Sequence, residues 1–269
     1  MRFVAGALLF LLCCLPQPAL SFRTDEISAH QLRLKESPVG HRIAFWAEQF
    51  IGTPYDTDPL GDYVRRATIL ADERIDCMYL TFRAVELALT SAPEEAIEKA
   101  LTLRFHTRGA LKDGKVLNYD DRYQDGIDMI RSGKYGTEIT TRLGKTHQIA
   151  EANGGGAIDF LPATEIRKAI DLLGQARGYP PGEHGELRTG DIIFFVRDPS
   201  KSEVAGIVAH MGILKVEQRN GGSGRTVYLI HASGTKRRGG SVKKVLLDEY
   251  LTYIQHAGAK ISRLNDDSP

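Results

Sequence analysis

The chain has 269 residues, a formal net charge of +1, 42% hydrophobic residues and 26% charged residues. This length suits one large domain or two small ones, and the hydrophobic fraction is enough for a real core. Because the net charge is close to zero and both signs are mixed along the chain, nothing favours a nucleic-acid-binding protein.

Residues 1–21 predict a secretory signal peptide. Arg2 supplies the positive start, residues 5–12 are apolar, and Ala19, Leu20 and Ser21 form a small-x-small cleavage site. A retained N-terminal anchor, or lipidation at Cys13, is the alternative. No later segment has the roughly 18 consecutive apolar residues of a membrane span. We therefore expect an exported protein, periplasmic or extracellular, with no integral membrane segment in residues 22–269.

Cys77 is the only cysteine after the predicted signal peptide, since the other two are Cys13 and Cys14. One thiol cannot form an intramolecular disulfide. In an oxidising compartment a single thiol is a liability unless it is buried or used. Cys77 is therefore a candidate for chemistry.

The first half of the chain predicts helices. Residues 43–51 form a helical pattern that ends at Gly52 and Pro54, and a second helix starts at Cys77 with apolar residues at three- and four-residue spacing. Ser91 and Glu94 have the spacing of a capping box for a third helix, with Pro93 in its first turn.

The second half predicts a decorated sheet. Residues 102–188 indicate an insertion of long surface segments with helices at 123–131 and 163–173. Strands are then expected at 191–196, 207–216, 226–231, 241–245 and 260–264, with a short helix at 248–255. Helices followed by an antiparallel sheet predict an α+β fold. We expect a single domain over 22–269, with a two-domain division near Gly182 as the alternative.

The sequence offers the components of a thiol nucleophile. A helix N-terminus favours a thiolate at Cys77 and supplies free backbone N–H groups. His210 and His231 lie on two predicted strands joined by a glycine-rich turn, so one imidazole could serve as base and the other could orient it. The alternative is a buried cysteine with two core histidines. The remaining histidines, read as surface residues, include His106, His147, His184 and His256.

A zinc site is the chemical rival. Cys77, His210 and His231 could bind Zn²⁺ together with Asp76 or Asp191. No H-x-x-x-H or C-x-x-C pair supports that set. We therefore expect no metal and no organic cofactor.

Five segments in order carry a resemblance to a known family. They are the segment at residues 50–55, Asp76-Cys77, the segment at 187–195, the H-x-G-I segment at 210–213 and the I-H-A-S segment at 230–233. This series resembles the NlpC-type, papain-related cell-wall cysteine peptidases. It is most similar to their N-acetylmuramoyl-L-alanine amidase-like branch, formerly a domain of unknown function. The resemblance implies a papain-like NlpC-type α+β fold.

The resemblance also implies a role for each matching residue. Cys77 would be the nucleophile, His210 the general base and His231 the residue that orients it. Tyr55 would hold the oxyanion or the substrate carbonyl, and Asp76 would contact the peptide. The alternatives are a packed turn residue at Tyr55 and a helix N-cap at Asp76. Met78 and Tyr79 depart from the family pattern, which has a small residue after the cysteine.

The implied function is a secreted cysteine hydrolase acting on peptidoglycan or muropeptide fragments. The family name favours cleavage between N-acetylmuramic acid and L-alanine. A stem-peptide endopeptidase acting at a D-Glu-linked bond with the same residues is the alternative. A non-catalytic cell-wall-binding protein and a thiol acyltransferase on the same scaffold are alternatives of other classes.

Overall fold

The structure, a computed structural model, describes residues 24–150, 156–175, 186–197, 207–219, 224–253 and 256–266. The predicted signal peptide at 1–21 lies outside these residues, as does most of the predicted glycine-rich turn at 220–224. Within the described ranges, none of the helices has the length and apolar character needed to cross a bilayer.

Eight α-helices are found in the described residues. They are α1 (Thr24–Leu34), α2 (Val39–Gln49), α3 (Asp62–Arg65), α4 (Cys77–Ala88), α5 (Pro93–Leu103), α6 (Gly126–Arg131), α7 (Ala163–Gly174) and α8 (Leu247–Tyr253).

The strands form one large sheet and one small hairpin. They are β1 (Leu111–Lys112), β2 (Lys115–Val116), β3 (Thr137–Glu138), β4 (His147–Ala150), β5 (Ala157–Pro162), β6 (Ile192–Arg197), β7 (Val208–Gln218), β8 (Arg225–Thr235), β9 (Gly239–Leu246) and β10 (His256–Arg263). The described part of the large sheet has the order β4-β5-β10-β6-β7-β8-β9, with β3 also paired to β10, and all its pairs are antiparallel.

Helices cover both faces of this sheet. Strand β6 is buried throughout its apolar run, and its side chains alternate between two hydrophobic clusters. Ile192 and Phe194 face the cluster that contains α2 and α4, whereas Ile193 and Phe195 face the one that contains α7 and α8. This alternation follows the two-residue period of a strand. The α+β class expected from the sequence is confirmed, whereas its papain-like NlpC-type arrangement stays a prediction.

The boundaries of several elements differ from the sequence expectation. Helix α2 begins at Val39 rather than residue 43, because the Asp266 carboxylate accepts a 2.6 Å hydrogen bond from the Val39 N–H and completes the helix start. Helix α6 begins only at Gly126, where Asp125 is its N-cap. The predicted capping box at Ser91 is absent, since Ala92 is the N-cap and Glu95, not Glu94, accepts the Ser91 N–H.

A buried ionic network fixes α4 against the start of the insertion. The Arg104 guanidinium donates to both oxygens of Glu86 at 2.6 Å and to the Ile69 carbonyl at 2.9 Å. Arg83, also buried, pairs with Asp72 at 3.1 Å. These pairs hold the middle of α4 in one position and so fix where its N-terminus lies.

Candidate active site

Cys77 is the first residue of α4, as the sequence predicts. Asp76 is its N-cap, with one carboxylate oxygen accepting the Tyr79 N–H at 2.9 Å. The cap leaves Cys77 at the positive end of the helix dipole. The N-cap alternative for Asp76 is therefore present in the structure, and contact with a peptide stays a prediction.

The two strand histidines form a direct hydrogen bond. His210 on β7 and His231 on β8 share one sheet face, and His210 Nε2 lies 2.8 Å from His231 Nδ1. Gly212 permits this approach, because a Cβ there would lie 2.7 Å from the Ile230 carbonyl and 3.1 Å from the His231 Cβ. The bond occupies Nε2 of His210, so Nδ1 is the nitrogen of this ring that could serve as a base.

The Cys77 sulfur lies against the strand that carries His210. The backbone N–H of Met211, the residue after His210, is near enough to that sulfur to lower the thiol pKa, as is the N–H of Cys77 itself. Tyr250 on α8 joins the same site, with its ring centroid 4.8 Å from that of His231 and 6.2 Å from that of His210. The structure thus brings the start of α4, the histidine pair and α8 together.

Burial keeps the reactive groups neutral. Burial, and then the Asp76 charge, raise the pKa of the Cys77 thiol to about 12. Burial and the neighbouring imidazoles lower the pKa of His210 to about 3, and burial with Lys243 lowers the pKa of His231 to about 4. The expectation that the helix start would lower the thiol pKa is wrong, because desolvation outweighs the helix N–H groups.

Tyr55 lies beside the nucleophile, on a segment that links two elements. Its N–H donates to the Gly240 carbonyl at 2.9 Å, and it bridges to Ile75, next to the N-cap of α4. Gly234 makes room for its ring, since a Cβ there would lie 2.5 Å from it. Burial is the main cause that raises the pKa of Tyr55 well above its ordinary value. Its hydroxyl therefore stays a donor at neutral pH.

The carboxylates considered as zinc ligands are engaged by the protein. Asp191 is fully buried and pairs with Arg263 through both oxygens at 2.7 Å, while Asp76 binds the Tyr79 N–H and Lys236. In the part of the chain that the structure describes, no three His, Cys, Asp or Glu residues are grouped as metal ligands would be.

Sequence reasoning missed three residues of the site. Lys236, in the turn between β8 and β9, donates to Asp76 at 3.3 Å and lies over the Tyr55 ring. Tyr250 packs on both histidines. His256, interpreted from the sequence as a surface residue, is half-buried and stacks on Phe195 at 5.4 Å, and burial lowers its pKa to about 4. Only the run of basic residues at 236–238 is a signal that could have found one of them.

Comparison with known proteins shows similarity at the level of fold. No protein-family model matches the chain, and no curated protein matches it. A crystal structure described as an N-acetylmuramoyl-L-alanine amidase from Bacteroides uniformis superposes with a TM-score of 0.59 at 18% identity, covering 84% of this chain and 100% of that one.

Two further structures are similar over most of their length. One is a Legionella pneumophila protein of the family DUF1460, with a TM-score of 0.59 at 16% identity, covering 91% of this chain and 95% of that one. The other, from Bacteroides fragilis, carries a provisional description as a xylanase, with a TM-score of 0.52 at 19% identity, covering 81% and 98%. Identities this low show a shared fold and leave function to the chemistry of the site.

Proposed function

We propose that the chain is a cysteine-dependent hydrolase of peptidoglycan, with the N-acetylmuramoyl-L-alanine amide as the bond cleaved. One observation carries the proposal. Cys77, the first residue of α4, lies near the backbone of Met211, and His210, which precedes Met211, is hydrogen-bonded to His231 at 2.8 Å. The arrangement supplies a nucleophile, a base and an orienting group, which are the parts that amide hydrolysis by a thiol requires.

The proposed first step uses the free nitrogen of His210. As the sulfur attacks the amide carbonyl, the thiol proton passes to His210 Nδ1 and the carbonyl oxygen becomes an oxyanion. His210 Nε2 keeps its own proton and donates it to His231 Nδ1, which stabilises the imidazolium. Since burial keeps both imidazoles neutral at rest, the base is available without prior deprotonation.

Backbone and phenolic donors would stabilise the oxyanion. The Cys77 N–H at the start of α4 lies near the Cys77 sulfur, and the Tyr55 hydroxyl nearby stays protonated. Removing one donor of this kind typically costs about 10²–10³ in rate. The tetrahedral species then expels the amine, which takes the proton from His210, and a thioester remains on Cys77.

Hydrolysis of the thioester completes the cycle. His210 removes a proton from water, the hydroxide attacks the thioester carbonyl, and the thiol of Cys77 is regenerated with the acid product. No metal or organic cofactor enters these steps. The similarity to structures described as N-acetylmuramoyl-L-alanine amidases and the resemblance to the papain-like NlpC-type branch support this choice of substrate. We place the mature protein outside the cytoplasm, where peptidoglycan lies.

Mass spectrometry of soluble products tests the proposal. Purified peptidoglycan fragments would be incubated with the protein and with Cys77→Ala, and Cys77-dependent release of free stem peptides with intact glycan is expected. Cys77-dependent cuts inside the stem would instead identify an endopeptidase. Binding to intact wall, with no product from either protein, would contradict hydrolysis and favour a wall-binding protein.

A further inference from the structure

The turn between β8 and β9 carries three consecutive basic residues at the edge of the candidate site. Lys236 is partly buried, and Arg237 and Arg238 are exposed. The hairpin brackets the turn through the pairing of Thr235 with Gly239, and the Arg238 N–H donates back to Thr235. The backbone of the turn is therefore ordered.

Lys236 is directed inward, and its contacts lie on the side of the site formed by Asp76 and Tyr55. Its ammonium donates to the Asp76 carboxylate at 3.3 Å and to the Asp56 carbonyl at 3.1 Å, and it lies 5.6 Å from the centre of the Tyr55 ring. Its charge also acts on the Cys77 thiol, where it lowers the pKa against the larger effect of burial. The ammonium thus lies within electrostatic range of the nucleophile.

The ammonium of Lys236 retains capacity for a ligand. A lysine has three N–H donors, and the two contacts above use two of them. Its side chain keeps 33% of its accessible surface. A third donor is therefore available to a group that approaches from solvent.

The acidic groups on this edge already have partners. Asp56 accepts from the backbone N–H groups of Asp58 and Asp62 at 2.9 and 2.7 Å, and Asp58 pairs with Arg65. Asp76 binds the Tyr79 N–H with its other oxygen. The exposed guanidinium groups of Arg237 and Arg238 add positive charge next to Lys236, which favours an anionic ligand.

We propose that the β8–β9 turn, through Lys236, binds a free carboxylate of the substrate next to the cleaved amide, so that the protein selects acidic stem peptides over amidated ones. This inference rests on the proposed function. Asp76 directly precedes Cys77, and one extended residue spans about 3.5 Å. A carboxylate one residue from the scissile bond is therefore within reach of Lys236. D-Glu of a stem peptide has such a carboxylate, and D-isoglutamine has a neutral amide in its place.

The test uses two muropeptides that differ only in that group, one with D-Glu and one with D-isoglutamine. For the unmodified protein we expect kcat/KM at least about tenfold higher for the acid, mainly through KM, as a hydrogen bond to a charged group provides. Lys236→Gln should reduce this preference to less than about twofold. Lys112→Gln, which removes the same charge from the exposed β1 strand, should leave it unchanged.

Three results would overturn the inference. The unmodified protein could cleave both substrates equally. Alternatively, Lys236→Gln could lower kcat/KM by the same factor for both substrates, which would make Lys236 only a positioning residue for Asp76. Lys112→Gln could also abolish the preference, which would indicate bulk charge. Binding to Cys77→Ala, measured by calorimetry, separates this inference from the proposed function. Tighter binding of the acid, together with no hydrolysis by the unmodified protein, would support the carboxylate site and contradict the hydrolase, whereas equal binding would reject the site.

Discussion

The protein contains two buried polar clusters, of which one holds charged groups and the other holds neutral groups. Around Arg104, burial alone would lower the pKa of the guanidinium, but the Glu86 carboxylate more than offsets it and the pKa lies well above its ordinary value. Around Cys77, the backbone N–H of Met211 and the charge of Lys236 offset burial only in part, so the thiol and both imidazoles stay neutral. The first cluster is held by charged hydrogen bonds between Arg104 and Glu86, and the second by a hydrogen bond between two neutral imidazoles.

This contrast separates structural from chemical use of buried polar groups. A buried ion pair with complete hydrogen bonding fixes geometry, since breaking it leaves a charge without solvent. Neutral groups that can exchange a proton retain reactivity. The ionic cluster holds the middle of α4, and the neutral cluster lies at the N-terminus of the same helix. Changes in the two clusters should therefore affect different properties.

The largest effect should come from His210→Asn, which removes the proposed base. We expect kcat/KM to fall by about 10²–10⁴, the usual contribution of general base catalysis. The far-UV circular dichroism should stay unchanged. Steady-state kinetics on muropeptides would measure the loss. Activity within tenfold of the original would remove His210 from the mechanism.

Arg104→Met should affect stability instead. It leaves the fully buried Glu86 carboxylate without its partner, so the free energy of unfolding should fall by about 3–5 kcal/mol. The double change Arg104→Met with Glu86→Leu should recover most of that loss. Urea denaturation would measure both variants. If the double variant were no more stable than the single one, the unpaired charge would not be the cause.

Acid should destabilise the protein through its buried histidines. The folded protein keeps His210, His231 and His256 neutral below the ordinary imidazole pKa of 6.5, whereas the unfolded chain binds protons there. Their contribution to stability is complete above pH 6.5 and is lost as the pH falls toward 4. We expect a loss of about 2 kcal/mol per histidine between pH 6.5 and 4.5.

Urea denaturation across this pH range measures that slope. His231→Asn should make it shallower, and His106→Asn, which changes an exposed imidazole, should not. Burial raises the pKa of the Glu48 carboxyl group, but Lys244 and Lys215 lower it by more, so the net pKa lies below 4.5. The effect of Glu48 on stability therefore belongs to a lower pH range than that of the histidines. An unchanged slope in His231→Asn would show that the histidines are not responsible.

The smallest expected effect is on alkylation of Cys77. With a thiol pKa of about 12, iodoacetamide should react at least about tenfold more slowly at pH 7 than with a free cysteine. The rate should then rise about tenfold per pH unit up to pH 9. A rate that is constant between pH 5 and 8 would indicate a preformed thiolate–imidazolium pair and would contradict the neutral resting state.

Local patterns predicted those parts of the fold that depend on nearby residues. The helix that starts at Cys77 follows from apolar spacing and the Asp76 cap, and the strands of His210 and His231 follow from β-forming runs. The hydrogen bond between the two histidines agrees with the expectation that they lie close together. Their catalytic roles, and those of Tyr55 and Asp76, stay predictions.

Features that depend on tertiary packing could not be found in this way. Lys236, Tyr250 and His256 reach the site from a turn, a short helix and the last strand, and no spacing along the chain connects them to Cys77. The direction of the thiol pKa shift was predicted wrongly for the same reason. The helix dipole is visible in the sequence, whereas the burial that outweighs it comes from the packed sheet.

The position of β10 has a consequence for synthesis of the chain. This strand lies between β5 and β6, so each of those strands lacks one of its neighbours until residues 256–263 have been made. An unpaired edge beside the apolar β6 is a template for intermolecular pairing. Chains interrupted before His256 should therefore aggregate rather than fold, and synthesis of β10 is the step that allows the sheet to close.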